Sequence, residues 1–473
     1  MTRTALALFA SVGLLSGCSL EPTYHRPAPP VPVAWPVGAA YGVPGHDTPA
    51  DWRQVFTDPA LRRVIEQALA NNRDLRVAIA RIDASRAQYR VQRAALLPTA
   101  TISAAVTTGR EPTGLPPALG PAYANSTTYS ANVATTSYEL DLFGRLHSLT
   151  RAALEAYFAT QEARASAQIS LVAEVASDWL TCASDRALLT VSQATVVSAA
   201  ANLDLARRRL GGGIASQLDV DTAQTVVEQA SDDVARITTM VAQDRNALDL
   251  AVGAPVAADN LPGVTDDVAA GLGDIPGALD SRILLQRPDV VEAEHALRSA
   301  NANIGAARAA FFPSIALTGS VGTQSGSIAG LFAGGSGVWN FAPSITLPIF
   351  TAGANRANLA YARAQDRIDI ALYEKAIQTA FREVADALAQ RGTITERLRA
   401  QRALVASAAH SLQLAEALYA RGSVGYLDVL TAQRTLYAAQ QSLIQVQLVK
   451  AANIVTLYKV LGGSLVDRSS ANQ

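Results

Sequence analysis

Apolar residues along most of this 473-residue chain recur at alternating spacings of three and four, and two shorter regions instead alternate residue by residue. Asp58-Pro59 fits a helix start, because Asp caps free N–H groups and Pro at the first helical position forfeits no hydrogen bond. Helical spacing then runs to about Leu97, where Pro98 ends it. Thr99 to Thr108 alternates with Ile102, Ala104 and Val106 on one side. A Pro- and Gly-rich loop (Gly109 to Pro121) leads to a second β-like stretch, Thr127 to Phe143. Gly144 to Gly211 then spans 68 residues without proline, and Gly353 to Gly422 spans 70. Each would extend roughly 100 Å at about 1.5 Å per residue, too long for a compact domain. Their seams are visible in Ile169, Val172, Ala176, Trp179 and Ala183, and in Leu404, Ala408, Ser411, Ala415 and Leu418. The returning helix Ala215 to Gly253 has 39 residues and a helix from Pro288 to Phe312 has 25, so the two end to end match one long helix.

The pattern repeats. Asn72-Arg73-Asp74-Leu75 recurs as Arg287-Pro288-Asp289-Val290, and Ala94-Ala95-Leu96-Leu97-Pro98-Thr99 as Ala309-Ala310-Phe311-Phe312-Pro313-Ser314, both at an offset of 215. Leu140-Asp141-Leu142-Phe143 answers to Leu347-Pro348-Ile349-Phe350 at 207, and Leu218-Asp219-Val220 with Thr222-Ala223-Gln224 to Leu427-Asp428-Val429 with Thr431-Ala432-Gln433 at 209. So long a period means a duplicated half-protein, not a solenoid. The predicted first repeat is 51–253 (helix, β-hairpin 98–143, long helix 144–211, helix 215–253) and the second 288–462 (helix, β-hairpin 313–351, long helix 353–422, helix 425–462). They are joined by a linker at 254–287 and followed by a tail at 463–473. The second hairpin carries Ile315, Leu317 and Val321, a Gly-rich loop from Gly319 to Gly337, then Phe341, Ile345, Leu347 and Ile349. The strands have about the ~9–11 residues of a tilted membrane strand. Four strands cannot close a barrel and open edges are not tolerated in lipid, so a membrane reading requires copies to share one. Two copies would give eight strands and three would give twelve.

Composition narrows the chemistry. Ala fills 92 positions, only Lys375, Lys450 and Lys459 are lysines, and the net charge of −1 gives no case for nucleic acid. Two cysteines cannot build a disulfide framework, and five scattered histidines have no metal-ligand spacing. No cofactor is expected. The chain has no G-x-x-x-x-G-K-S/T loop, H-E-x-x-H, G-x-S-x-G or C-x-x-C, and Gly211-Gly212-Gly213 follows a helix rather than a strand, so no enzyme is expected. Glu294-His295 reads as part of a solvated helix face, and Cys182 as a small buried wall residue.

At the N-terminus, Arg3, an apolar run from Ala5 to Leu15, and Leu15-Ser16-Gly17-Cys18 resemble a bacterial lipoprotein signal. The resemblance implies cleavage of residues 1–17 and acylation of Cys18, with Ser19 directing the product to the outer membrane. Residues 18–50, rich in proline, read as an extended strap. Together with Tyr24, Pro27, Trp52, Phe56, Asp58-Pro59, Leu61, the duplicated halves and both turn motifs, this chain resembles the TolC-like outer-membrane factor family, in its lipoprotein branch serving resistance-nodulation-division pumps. The resemblance implies a mainly α fold with a small β part: a homotrimer whose long-helix hairpins form a periplasmic α-barrel, and whose four strands per chain share a twelve-stranded transmembrane β-barrel. It also implies a periplasmic adaptor and an inner-membrane pump as partners, and places 254–287 and the tail in a belt around the α-barrel. A type I secretion duct and a non-channel periplasmic coiled-coil scaffold are the alternatives.

The two turns, Arg209-Leu210-Gly211-Gly212-Gly213-Ile214-Ala215-Ser216 and Tyr419-Ala420-Arg421-Gly422-Ser423-Val424-Gly425, need glycine for a tight reversal. The resemblance adds adaptor docking at Gly213, Ser216, Leu218, Gly422, Gly425 and Leu427. Ser216-x-x-Asp219 matches a capping box, and an acid in a first helical turn suits the helix dipole. The resemblance alternatively makes Asp428, with Asp219, Asp221 and Thr431, a periplasmic gate. Thr431 stands where family members carry a second acid, implying a less acidic ring; nearby Arg207 is a weaker candidate.

Overall fold

The computed structural model describes residues 19–41, 52–112, 121, 123–263, 267–273 and 281–463. The signal segment 1–17, Cys18, the strap beyond 41 and the tail from 464 lie outside the described residues. In chain order the elements are α1 (Trp52–Val55), α2 (Pro59–Asn71), α3 (Arg73–Ala94), β1 (Thr101–Pro112), β2 (Tyr123–Leu140), α4 (Arg145–Gly211), α5 (Gln217–Val252), α6 (Pro288–Ala309), β3 (Ser314–Ser325), β4 (Gly337–Thr346), α7 (Ala354–Ala420) and α8 (Tyr426–Val460). The fold is mainly helical with one small antiparallel sheet. Both long helices, α4 and α7, have 67 residues. Among the described residues no helix is long and apolar enough to cross a membrane.

The chain divides into two units, the first made of Met1–Ala28, Ile82–Thr160 and Ala293–Tyr373. It holds the sheet, in the order β1-β2-β3-β4. Residues directly opposite across an antiparallel ladder share a face. The register sets Ile102, Val133, Val321 and Trp339 in one row, and Leu140, Ile315 and Ile345 in another on the same face. The opposite face carries Ser103, Asn132, Gly322 and Val338 in one row and Thr101, Ala134, Ser320 and Asn340 in another. A bulge in β2 between Thr135 and Tyr138, with Ser137 at φ 57°, keeps Tyr138 and Leu140 on the apolar face. β3 continues to Ser325, taking up the first seven residues of the predicted Gly319–Gly337 loop. Gly322 belongs in the strand because a Cβ there would meet the Ala131 carbonyl oxygen.

In the same unit, Glu294 is buried rather than on a solvated face. Its carboxylate takes both Arg26 (Nε at 3.0 Å, with an Nη2 ion pair) and Arg298 (2.6 Å), and accepts from the Tyr24 hydroxyl at 3.2 Å. Burial opposes its charge, but the two guanidiniums outweigh it and hold the carboxyl below its usual range. His295 lies 2.7 Å from the Glu155 carboxylate. A contiguous stretch of sequence could not reveal this site, because Tyr24 and Arg26 come from the strap.

The second unit comprises Pro29–Arg81, Gln161–Glu292 and Glu374–Gln473. Asp58 caps α2, accepting from Ala60 N (2.7 Å) and Leu61 N (3.0 Å), and Phe56 packs edge-on against Tyr458. The predicted continuous helix to Leu97 breaks at Asn72, whose backbone is extended at ψ 135°. Its side chain accepts from Leu75 N (2.8 Å), starting α3, and donates to the Ala251 carbonyl (2.7 Å). This break lets the end of α5 dock, with Gly253 so close that a Cβ would strike Asn71 O.

Candidate functional site

The two helical reversals lie in the second unit and share one apolar cluster. Ala199, Leu203 and Ala206 of α4 and Val220, Ala223 and Val226 of α5 pack with Tyr419 of α7 and Tyr426, Val429 and Leu430 of α8. Both turns use the same device. Gly213 (φ 77°) and Gly422 (φ 74°) take the left-handed conformation, and Ile214 N donates to Arg209 O as Ser423 N donates to Leu418 O, each at 3.0 Å. This is the Schellman arrangement, and it explains why glycine stands at both positions.

The helices leaving the turns start differently. Ser216 caps α5: its hydroxyl accepts from Asp219 N (3.2 Å), and the Asp219 carboxylate accepts from Ser216 N and Oγ, both at 2.9 Å. Gly425 occupies the matching place before α8 and has no side chain to offer, so Asp428 is exposed with no side-chain partner among the described residues. Asp221 accepts from Gln217 Nε2 at 2.8 Å, Arg207 donates to Gln224 Oε1 at 2.9 Å, and the Thr431 hydroxyl turns back onto Leu427 O at 2.8 Å. Leu218 and Leu427 stay largely exposed at 73% and 68%.

Arg209, Tyr419 and Tyr426 were not singled out by sequence reasoning. The Arg209 guanidinium lies 4.0 Å over the Tyr419 ring and donates to Tyr419 O (2.8 Å) and Ala420 O (3.2 Å), closing the carbonyl end of α7 from the other hairpin. Tyr419 and Tyr426 meet edge to face at 5.6 Å, and neither buried hydroxyl has a hydrogen-bond partner among the described residues. Burial, then Tyr419 and Asp219, push the Tyr426 hydroxyl up to about 12. The only sequence signal was an aromatic on each side of Gly422. The cluster packs the two turns together and leaves the Asp428 carboxylate on the surface. Among the described residues no group of His, Cys, Asp and Glu could hold a metal ion.

The family model described as "Outer membrane efflux protein" matches residues 64–254 and 279–463, taking in both reversals. The chain belongs to that family. It is 46% identical to the toluene efflux pump outer membrane protein TtgC of Pseudomonas putida, over the whole of this chain and 98% of the relative. A crystal structure of a membrane protein from Pseudomonas aeruginosa aligns with a TM-score of 0.88 at 41% identity, over 94% of this chain and 98% of the other. The open state of the MtrE outer membrane channel of Neisseria gonorrhoeae aligns at 0.82 and 37%, over 95% and 99%. This efflux protein is thus an outer-membrane channel component, and the sheet and the paired hairpins are the parts from which such a channel is made.

Proposed function

We propose that this outer-membrane efflux protein is the passive exit duct of a tripartite pump of the resistance-nodulation-division type, working as a homotrimer with a periplasmic adaptor. The observation that carries the reading is the sheet: one face apolar, the other largely polar, and both outer strands, β1 and β4, unpaired along one edge. Unpaired backbone groups in hydrocarbon cost several kcal/mol each, so the edges must meet those of other copies. Three copies give a twelve-stranded barrel with the apolar face toward lipid and the polar face lining the lumen.

In this reading Cys18 carries the lipid and holds the strap at the outer membrane. Asp428, Asp219, Asp221 and Thr431 lie at the periplasmic gate, with Asp428 supplying free charge. Gly213, Ser216, Leu218, Gly422, Gly425 and Leu427 receive the adaptor, whose apolar side chains would cover Leu218 and Leu427. The duct has no chemistry of its own, neither enzyme nor cofactor; energy comes from the inner-membrane pump. The name of the toluene efflux relative points to an aromatic solvent as cargo. The test is mass in detergent together with conductance in planar bilayers. Trimeric mass with stable pores is expected; a pore-inactive monomer would overturn the reading.

A further inference from the structure

The two repeats differ where the strands hand over to the helices. Phe143, just after β2, stacks on Phe312, just before β3, with ring centroids 4.8 Å apart and planes inclined by 23°. The pair spans the β2–β3 seam, the seam between the two repeats. The sequence landmarks give each partner a mate: Phe350 answers to Phe143 and Leu97 to Phe312. These mates are bare. Phe350 is 87% exposed, its neighbour Ile349 92%, and Leu97 69%, whereas Leu142 and Phe143 are half-buried. They flank the two outer strands, Phe350 after β4 and Leu97 before β1.

We propose that Phe350 and Ile349 of one copy pack onto Leu97 of the next, closing the β4–β1 seam between copies as Phe143 and Phe312 close the β2–β3 seam within one. The occupant is a second copy of this chain because the chain already shows what covers this junction: the opposing junction of the neighbouring repeat. In a ring of duplicated chains, every junction meets such a neighbour, and the intact pair is the template for the missing one. The inference rests on the shared-barrel reading above and adds the contact that locks the base of the barrel.

The test is the double variant Leu97→Cys with Phe350→Cys in the full-length protein, treated in detergent with a short bismaleimide, beside each single variant. Cys182 is buried and its thiol is pushed up to about 11, by burial first, so it does not compete. The single variants report any background from Cys18. The double variant should move to dimer and trimer bands, while each single variant stays monomeric under denaturing conditions. A trimeric mass with no linked species would overturn this contact and leave the shared barrel standing; a monomeric mass would overturn the barrel reading beneath it. Phe350→Trp in a Trp339→Phe background, which keeps the aromatic bulk at 350 and removes the tryptophan of the lipid-facing sheet face, gives a second readout: quenching by brominated lipid should be no stronger than in Trp339→Phe alone, and strong added quenching would put position 350 in the membrane instead of against a neighbour.

Discussion

The two hairpin tips have the same turn and opposite chemistry at the helix start that follows. At the first, Ser216 and Asp219 satisfy one another and the first turn of α5, so the acid is consumed by local structure. At the second, glycine replaces serine and the same acid, Asp428, has no side-chain partner among the described residues. A duplicated protein thus kept the acid at both positions but only one of the caps. The lesson is that a matched residue does not imply a matched role: the first acid fixes a helix, and the second is left as charge.

The largest expected effect lies beneath the tips. Tyr426 is buried against Tyr419, whereas its repeat mate Gln217 is exposed. Tyr426→Ala removes a buried ring and should cost about 3 kcal/mol, read as lost hydrogen-exchange protection at the start of α8, while Gln217→Ala leaves α5 protected. Tyr426→Phe deletes only a hydroxyl with no partner and should fall within about 0.5 kcal/mol of the parent. If Phe destabilised as much as Ala, the hydroxyl would have a partner and the packing account would fail.

A second asymmetry lies farther along the same helices. Asp185 of α4 and Asp244 of α5 set their carboxyl groups against each other, away from solvent, and their repeat mates are Ile394 and Asn453. Asn453 is satisfied, donating to Ala387 O at 2.9 Å and Gln390 Oε1 at 3.0 Å. Burial first, then Asp185, raises Asp244 to about 6; burial also raises Asp185, against the hydrogen bond with Asp244 and the Arg236 charge, and raises Asp178 to about 6 with help from Glu174. The folded state therefore holds protons that the unfolded chain, with Asp near about 3.9, releases. The sign follows: the stabilisation is complete below about pH 4 and is lost as pH rises through about 6. Thermal midpoints measured from pH 4 to 8 should fall across that window, and Asp244→Asn should shrink the slope. An unchanged slope would mean that the carboxylates are hydrated.

What could be read from the chain in advance was whatever depends on spacing. Glycines that interrupt long proline-free runs marked both reversals, and period-two alternation from Ile102 to Val106 and from Ile315 to Val321 marked strands. The misses share one physical cause, which is that partners distant in sequence decide them. Arg209 closes the end of α7 from 210 residues away, Glu294 is buried by Arg26 from 268 residues away, and Asn72 breaks its helix because the end of α5 docks there. Gly322 resembled a loop residue because the close approach of Ala131 that selects glycine is a property of the sheet register. At the tips, the capping box was legible as Ser216-x-x-Asp219. The significance of Gly425 was not, since a missing cap shows only beside the repeat that has one.

The cap itself gives the next effect in size. Ser216→Ala leaves Asp219 without its partner and should cost about 1 kcal/mol, seen as earlier exchange of the first-turn amides of α5. The same measurement on Asp428→Ala should show no comparable loss, because no cap is broken. If Asp428→Ala loosened α8 as much as Ser216→Ala loosens α5, the contrast between the tips would collapse.

The smallest stability change is the most discriminating. Gly425 sits at φ −77° and ψ 164°, a conformation open to any residue, and a Cβ there meets nothing within 4 Å. Gly425→Ser should therefore add a cap worth only a few tenths of a kcal/mol, but it also recreates the sequence Ser-x-x-Asp and draws the Asp428 carboxylate back onto the α8 N-terminus. If free charge on Asp428 governs ion passage, Gly425→Ser should move the conductance of reconstituted channels in the same direction as Asp428→Ala, which removes that charge and raises leakage. Asp219→Ala, which removes a gate acid already engaged by its cap, should change conductance less than Asp428→Ala while loosening α5. A Gly425→Ser channel with parental conductance beside a leaky Asp428→Ala channel would show that the acid acts from its helix position whether capped or not, and the missing serine would then have no functional meaning.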